Sequence, residues 1–160
     1  VAQPHTAGQP RAVAPNPAVL AVIAVGGGLG TLARYGVERL WPVAPSGFPY
    51  STLAINLLGS FLLGMLVVAV TDIWRPHRLL RPALGTGVLG GFTTFSTFAV
   101  ELRGLGAAHE LATACGYLAA SVVGGLMTAL AGMSLVRQLA PKMRIAPTHE
   151  ALDPFDPEQP

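Results

Sequence analysis

The chain reads as an all-α membrane protein of four transmembrane helices, and three observations predict it. Of its 160 residues, 51% are hydrophobic and only 11% are charged, where an ordinary soluble domain has about a quarter charged. Four apolar runs lie between residues 18 and 138, each long enough to cross roughly 30 Å of hydrocarbon. Charged or helix-stopping connections separate them. The net charge of +2 is modest, and the basic residues sit between apolar runs instead of interleaving with aromatics, which argues against a nucleic-acid surface. Cys115 has no partner cysteine in the chain, so it sets no disulfide and, without neighbouring ligands, no metal site.

Residues 1–17 carry four prolines and one charge, Arg11, a composition that predicts a disordered tail. The first span runs over 18–40 and lacks the small-residue cleavage site of a signal peptide. Its Gly26 to Gly30 run superficially suggests a phosphate loop, but no strand precedes it and no Lys-Ser/Thr follows. Close helix packing through Gly26 and Gly30 explains it better. Pro42, Pro45, Gly47 and Pro49 then stop the helix among interfacial aromatics. In the second span, 51–74, Asn56 is the one strongly polar interior residue, and Gly59, Ser60 and Gly64 share its face. An intramembrane Asn serves either as interhelical glue or as an amide with two donors for a passing anion.

The loop Arg75-Pro-His-Arg-Leu-Leu-Arg-Pro82 is basic and fixes orientation. The third span, 83–103, contains Gly85-Thr-Gly-Val-Leu-Gly-Gly-Phe-Thr-Thr-Phe-Ser-Thr-Phe98. Its glycines permit backbone geometries that other residues resist, so it reads as an interrupted helix, tolerated at membrane depth where protein or a watery cavity surrounds it. A Gly/Thr-rich packing helix fits the same stretch. After a loop with Gly104, Gly106, His109 and Glu110, the fourth span, 111–138, repeats small residues at Gly116, Ala120, Gly124, Thr128 and Gly132. Tyr117 and Ser121 flank that stripe. The tail 141–160 is Pro-rich and turns from basic to acidic, again a disordered composition. The expected organisation is thus one channel-sized domain, 18–140, between two tails.

No His, Asp or Lys falls in the middle of a span, and all four histidines lie in tails or loops. Proton-coupled transporters keep an ionisable residue inside the membrane, and no catalytic constellation is present, so an enzyme is not expected. What remains in the bilayer is a set of neutral donors and ring edges: Asn56, Ser60, Thr93, Thr94, Phe95, Ser96, Thr97 and Phe98. Hydroxyl and amide hydrogens donate to a small anion. The rim of a phenyl ring is the positive part of its quadrupole. Neutral groups also release what they bind, as conduction requires.

Three motifs resemble the small Fluc (CrcB-like) fluoride channels of microbial membranes. They are Gly27-Gly-Leu-Gly-Thr-Leu-Ala-Arg-Tyr35, Thr52-Leu-Ala-Ile-Asn-Leu-Leu-Gly-Ser60 and Gly90-Gly-Phe-Thr-Thr-Phe-Ser-Thr-Phe98. The resemblance implies a passive, fluoride-selective channel of the plasma membrane that lowers cytoplasmic fluoride. It implies an antiparallel dimer of four-helix subunits with fluoride pores at the interface. By the resemblance Asn56, Phe95, Ser96, Thr97 and Phe98 line the pore, and Arg34 lies at its entrance. The carbonyls of Gly90 and Thr93 from both subunits hold a structural Na+, and Glu101 lies just beyond the phenylalanine motif.

Orientation has its own signal. Arg11, Arg75, Arg78, Arg81, Arg137, Lys142 and Arg144 fall on the side of the termini, and only Arg34, Arg39 and Arg103 on the other. This bias predicts cytoplasmic termini. It raises the alternative of a heterodimer with an oppositely oriented sister subunit in place of a homodimer. Two other readings compete: a small-multidrug-type transporter, which needs an acidic residue within the first span where this chain has only Glu38 near the end, and a noncatalytic scaffold, which leaves the Phe-Ser-Thr-Phe spacing without a purpose.

Overall fold

Helix formation begins at Asn16, whose side-chain oxygen accepts the Ala18 amide at 2.9 Å, with Pro17 at the first helical position. Asn caps well because its oxygen satisfies an orphan amide, and proline lacks the amide that would be orphaned there. The computed structural model describes residues 16–43, 47–73 and 78–140. The expected tails therefore lie outside the described residues, except for Asn16 and Pro17. Pro45 and the start of the basic loop lie outside them as well.

Helix α1 spans Pro17–Leu40 and α2 spans Tyr50–Val68, which continues as a π-helical turn, Ala69–Ile73. The third span starts with π-helical Pro82–Leu89 and passes into a short α-helical turn, Gly90–Phe92; together these form α3. Thr93 (ψ 158°) and Thr94 (φ −147°, ψ 121°) are extended. Helix α4, Phe95–Ala107, follows, and α5 covers Leu111–Leu139. Four segments are long and apolar enough to cross a membrane: Pro17–Leu40, Tyr50–Ile73, Pro82–Ala107 and Leu111–Leu139. The chain is an all-α, multi-pass membrane protein.

The third span ends later than the sequence suggests. Gly104 and Gly106, expected in a loop, are helical, and the stop comes at His109, which adopts φ 61°. Its amide bonds the Gly106 carbonyl at 3.1 Å, and the Glu110 amide bonds that of Leu105 at 2.9 Å. This pair of bonds is a Schellman ending with His in the place glycine usually takes.

Close backbone approach organises the bundle into two seams, α1 against α3 and α2 against α5. A Cβ on Gly30 would collide with the Val88 carbonyl, and one on Gly132 with the Phe61 carbonyl. Small residues let helix backbones touch where lipid supplies no hydrophobic drive between helices. Gly124 and Gly132 of the fourth-span stripe are therefore used within the chain, whereas a Cβ on Gly116 would meet nothing within 4 Å among the described residues. Fully buried side chains are few, with Ile55, Leu105, Tyr117, Val68 and Thr52 the largest. Much of the remaining apolar surface, including Leu29, Leu32, Val122, Val123 and Leu126, points outward, as expected of a chain surrounded by lipid or by another subunit.

Candidate functional site

The two extended residues at the centre of the third span create a local demand for hydrogen-bond partners. Asn56 on α2 meets part of it. Its Oδ1 accepts the Thr94 amide at 2.9 Å, and its Nδ2 donates to the Thr94 carbonyl at 3.0 Å. The side chain thus pairs with the backbone as a neighbouring strand would, and one amide hydrogen is left over. Asn56 joins two spans through its side chain.

The Thr94 hydroxyl caps the helix that follows. Its Oγ1 accepts the Thr97 amide at 3.1 Å and donates to Thr97 Oγ1 at 3.0 Å, with Ser96 Oγ at 3.3 Å. This hydroxyl cluster occupies the N-terminal turn of α4, where oxygen acceptors satisfy orphan amides. The same bonds release two carbonyls. In an uninterrupted helix the Thr94 amide would bond Gly90 and the Thr97 amide would bond Thr93, but these amides go to Asn56 and to Thr94 Oγ1. Both Gly90 and Thr93 line a cleft. Neutral oxygens of this kind, at half-helix ends, suit Na+. Among the described residues no group of three or more His, Cys, Asp or Glu side chains gathers for a metal.

The cleft has a volume of about 390 Å³. Asn56 and Ser60 of α2, Gly90 and Thr93 at the break, Phe95 and Phe98 of α4, and Ser121 of α5 line it. Phe98 is 9% exposed and Phe95 is 79% exposed, with ring centroids 5.9 Å apart. Phe98 is held from behind by Tyr117 at 5.1 Å, which packs in turn edge-on against Phe48 at 5.6 Å. One phenylalanine is thus fixed and its neighbour projects.

Of the expected site residues, Asn56, Phe95, Phe98, Gly90 and Thr93 meet around this cleft. Ser96 and Thr97 stand beside it in the hydroxyl cluster. Arg34 bonds elsewhere, through Nε to the Gly91 carbonyl at 3.3 Å and through Nη1 to Glu38 at 3.4 Å. Sequence reasoning left a second polar group without an assignment. Glu101 accepts from Thr52 Oγ1 and from Tyr117 Oη, each at 2.7 Å, and Tyr117 is fully buried. The Ser121 hydroxyl is buried without a hydrogen-bond partner among the described residues. The signal was present: Thr52, Asn56 and Ser60 repeat every four residues on α2, and Tyr117 and Ser121 do so on α5, so each set shares a helix face.

Comparison with known proteins gives a consistent picture. Residues 21–133 match the family described as CrcB-like protein, Camphor Resistance (CrcB). A protein of Streptomyces avermitilis named Fluoride-specific ion channel FluC 2 is 51% identical over 104 residues, or 65% of this chain and 66% of that protein. The Nocardia farcinica protein of the same name is 45% identical over 122 residues, covering 76% of this chain and 87% of the relative. The Fluoride-specific ion channel FluC of Paracoccus denitrificans is 44% identical over 117 residues, 73% and 93% of the two chains. Streptomyces avermitilis also carries a relative named FluC 3, 42% identical over 133 residues.

Proposed function

This chain belongs to the CrcB-like family, and from that premise we propose that it is a fluoride-selective channel through which fluoride leaves the cytoplasm down its gradient. The observation that carries the reading is the mid-span cleft. It brings Asn56, Ser121 and an exposed Phe95 around one space that, among the described residues, no charged side chain lines. Such groups solvate a small anion without trapping it. Phe95 and Phe98 supply ring edges along the path, and Ser96 and Thr97 supply hydroxyls beside it.

A cleft with polar walls at mid-membrane does not face lipid, because hydrocarbon satisfies no donor. A second subunit in the opposite orientation covers it and completes the path. The interruption of the third span is functional on this reading, since it frees the Gly90 and Thr93 carbonyls from the helical ladder beside the cleft. The Gly90 and Thr93 carbonyls of both subunits would hold a structural Na+, which would supply a fixed positive charge among the chain's neutral oxygens.

The surplus of Arg and Lys on the side of the termini supports cytoplasmic termini in a microbial plasma membrane. It also supports pairing with an oppositely biased sister, and the numbered FluC names within one Streptomyces species fit that arrangement. A C-terminal tag is expected to be accessible from the cytoplasmic face alone; equal accessibility from both faces would remove the fixed-orientation proposal.

Phe95→Ala tests the pathway. Ring-edge interactions are worth about 1 kcal/mol, so fluoride flux in liposomes is expected to fall roughly fivefold while the far-ultraviolet circular dichroism stays that of wild type. Wild-type flux in this variant would take Phe95 out of the path.

A further inference from the structure

The bonds of Arg34 lead away from the cleft and toward the backbone that shapes it. Where α3 stops at Phe92, its last carbonyls lose the amides of a following turn. The Gly91 carbonyl instead receives two donors from α1, Thr31 Oγ1 at 3.4 Å and Arg34 Nε at 3.3 Å. Gly27, Thr31 and Arg34 follow one another at four and three residues, on one face of α1. Gly27 brings the backbones into contact, since a Cβ on Gly91 would collide with the Gly27 carbonyl. Glu38, one turn further on, holds the guanidinium from the other side at 3.4 Å. Arg34 is also only partly exposed, with 22% of its side chain accessible. A cation at the C-terminal end of a helix is favoured by the helix dipole as well as by its hydrogen bond.

We propose that Arg34 is a positioning residue: with Thr31 it caps the Gly91 carbonyl and so fixes the turn that carries Gly90, Thr93 and Phe95. It acts through the backbone and does not touch the permeating ion. The proposal rests on the channel reading for its consequence, while its structural part stands alone. An entrance cation that gathers anions would do different work, and the two are separable by measurement.

The full chain and its Arg34→Gln, Arg34→Lys and Thr31→Val variants are reconstituted in liposomes, and fluoride efflux is read across fluoride concentrations. In parallel, amide hydrogen exchange is followed over residues 90–97 in micelles. Loss of a charge-assisted cap in Arg34→Gln is expected to lower maximal flux about tenfold and to speed exchange over 90–97 by a similar factor. The half-saturating fluoride concentration stays unchanged. Thr31→Val shifts both readouts in the same direction by less, and Arg34→Lys recovers part of each because an ammonium still donates, although without the guanidinium fork. A raised half-saturating concentration with unchanged maximal flux and unchanged exchange would overturn the proposal in favour of an entrance charge. Wild-type values throughout would overturn it too. Should Arg34→Gln fail to fold, Thr31→Val decides, and unchanged flux and exchange there count against the cap. A wild-type chain without flux whose variants still show faster exchange would sink the channel reading and leave the cap standing.

Discussion

Asn56→Ala is expected to lower fluoride flux by about two orders of magnitude in liposomes. The size follows from what the side chain holds. It makes two bonds to one backbone unit, the Thr94 amide at 2.9 Å and the Thr94 carbonyl at 3.0 Å. Stranding two backbone groups away from water costs about 1–3 kcal/mol each, and 1.36 kcal/mol is a factor of ten. The spans on either side keep their own helical ladders and their glycine seams. The loss therefore falls on the shape of the break and on the spare donor facing the cleft, with helix content preserved. Asn56→Asp is the informative companion, because it retains the acceptor for the Thr94 amide while opposing both the Thr94 carbonyl and an anion. Flux near wild type in Asn56→Ala would separate this residue from conduction.

Gly132→Val is expected to prevent stable assembly of the protomer. A side chain there meets the Phe61 carbonyl, and backbone cannot move aside as the end of a flexible side chain can. Overpacking a tight contact costs typically about 1–3 kcal/mol and occasionally more, and the whole α2–α5 seam must separate to relieve it. Gly116→Val provides the control within the same helix. Nothing lies within 4 Å of a Cβ at that position, and valine is the better helix former. Thermal unfolding in detergent reads the difference: Gly132→Val should shift the midpoint far downward or yield no folded protein, and Gly116→Val should leave it nearly unchanged. Equal behaviour of the two would mean that the seam does not carry the stability assigned to it.

Hydropathy and punctuation made the fold legible, since each span's position follows from the apolar runs and their Pro, Gly and charged boundaries. The largest shift was at the end of the third span. The expected end lay at Arg103, whereas the helix continues through Gly104 and Gly106 until His109 takes the left-handed position. Glycine near a helix end is ambiguous, and only the backbone bonds decide which residue stops it. The π-helical turns at Ala69–Ile73 and Pro82–Leu89 had no sequence signature, because one extra residue per turn changes no composition.

For the site, the type of chemistry was readable and the partners were not. The absence of His, Asp or Lys from the middle of the spans left neutral donors and ring edges to contact an ion. Yet Asn56 finding Thr94, or Glu101 finding Thr52 and Tyr117, depends on how three spans rotate relative to one another. Helical periodicity places residues on a face but does not say which face they meet. Arg34 shows the same gap, because its spacing from Gly27 and Thr31 was visible while the Gly91 carbonyl opposite them was not.

The most direct measurement is fluoride efflux from liposomes holding the purified chain, followed with a fluoride electrode beside a matched chloride measurement. Fast fluoride efflux with chloride retained is the expected result, from the chain alone or, where orientation is fixed, after co-reconstitution with an oppositely oriented relative. Efflux no faster than from empty liposomes in both preparations would contradict a fluoride channel.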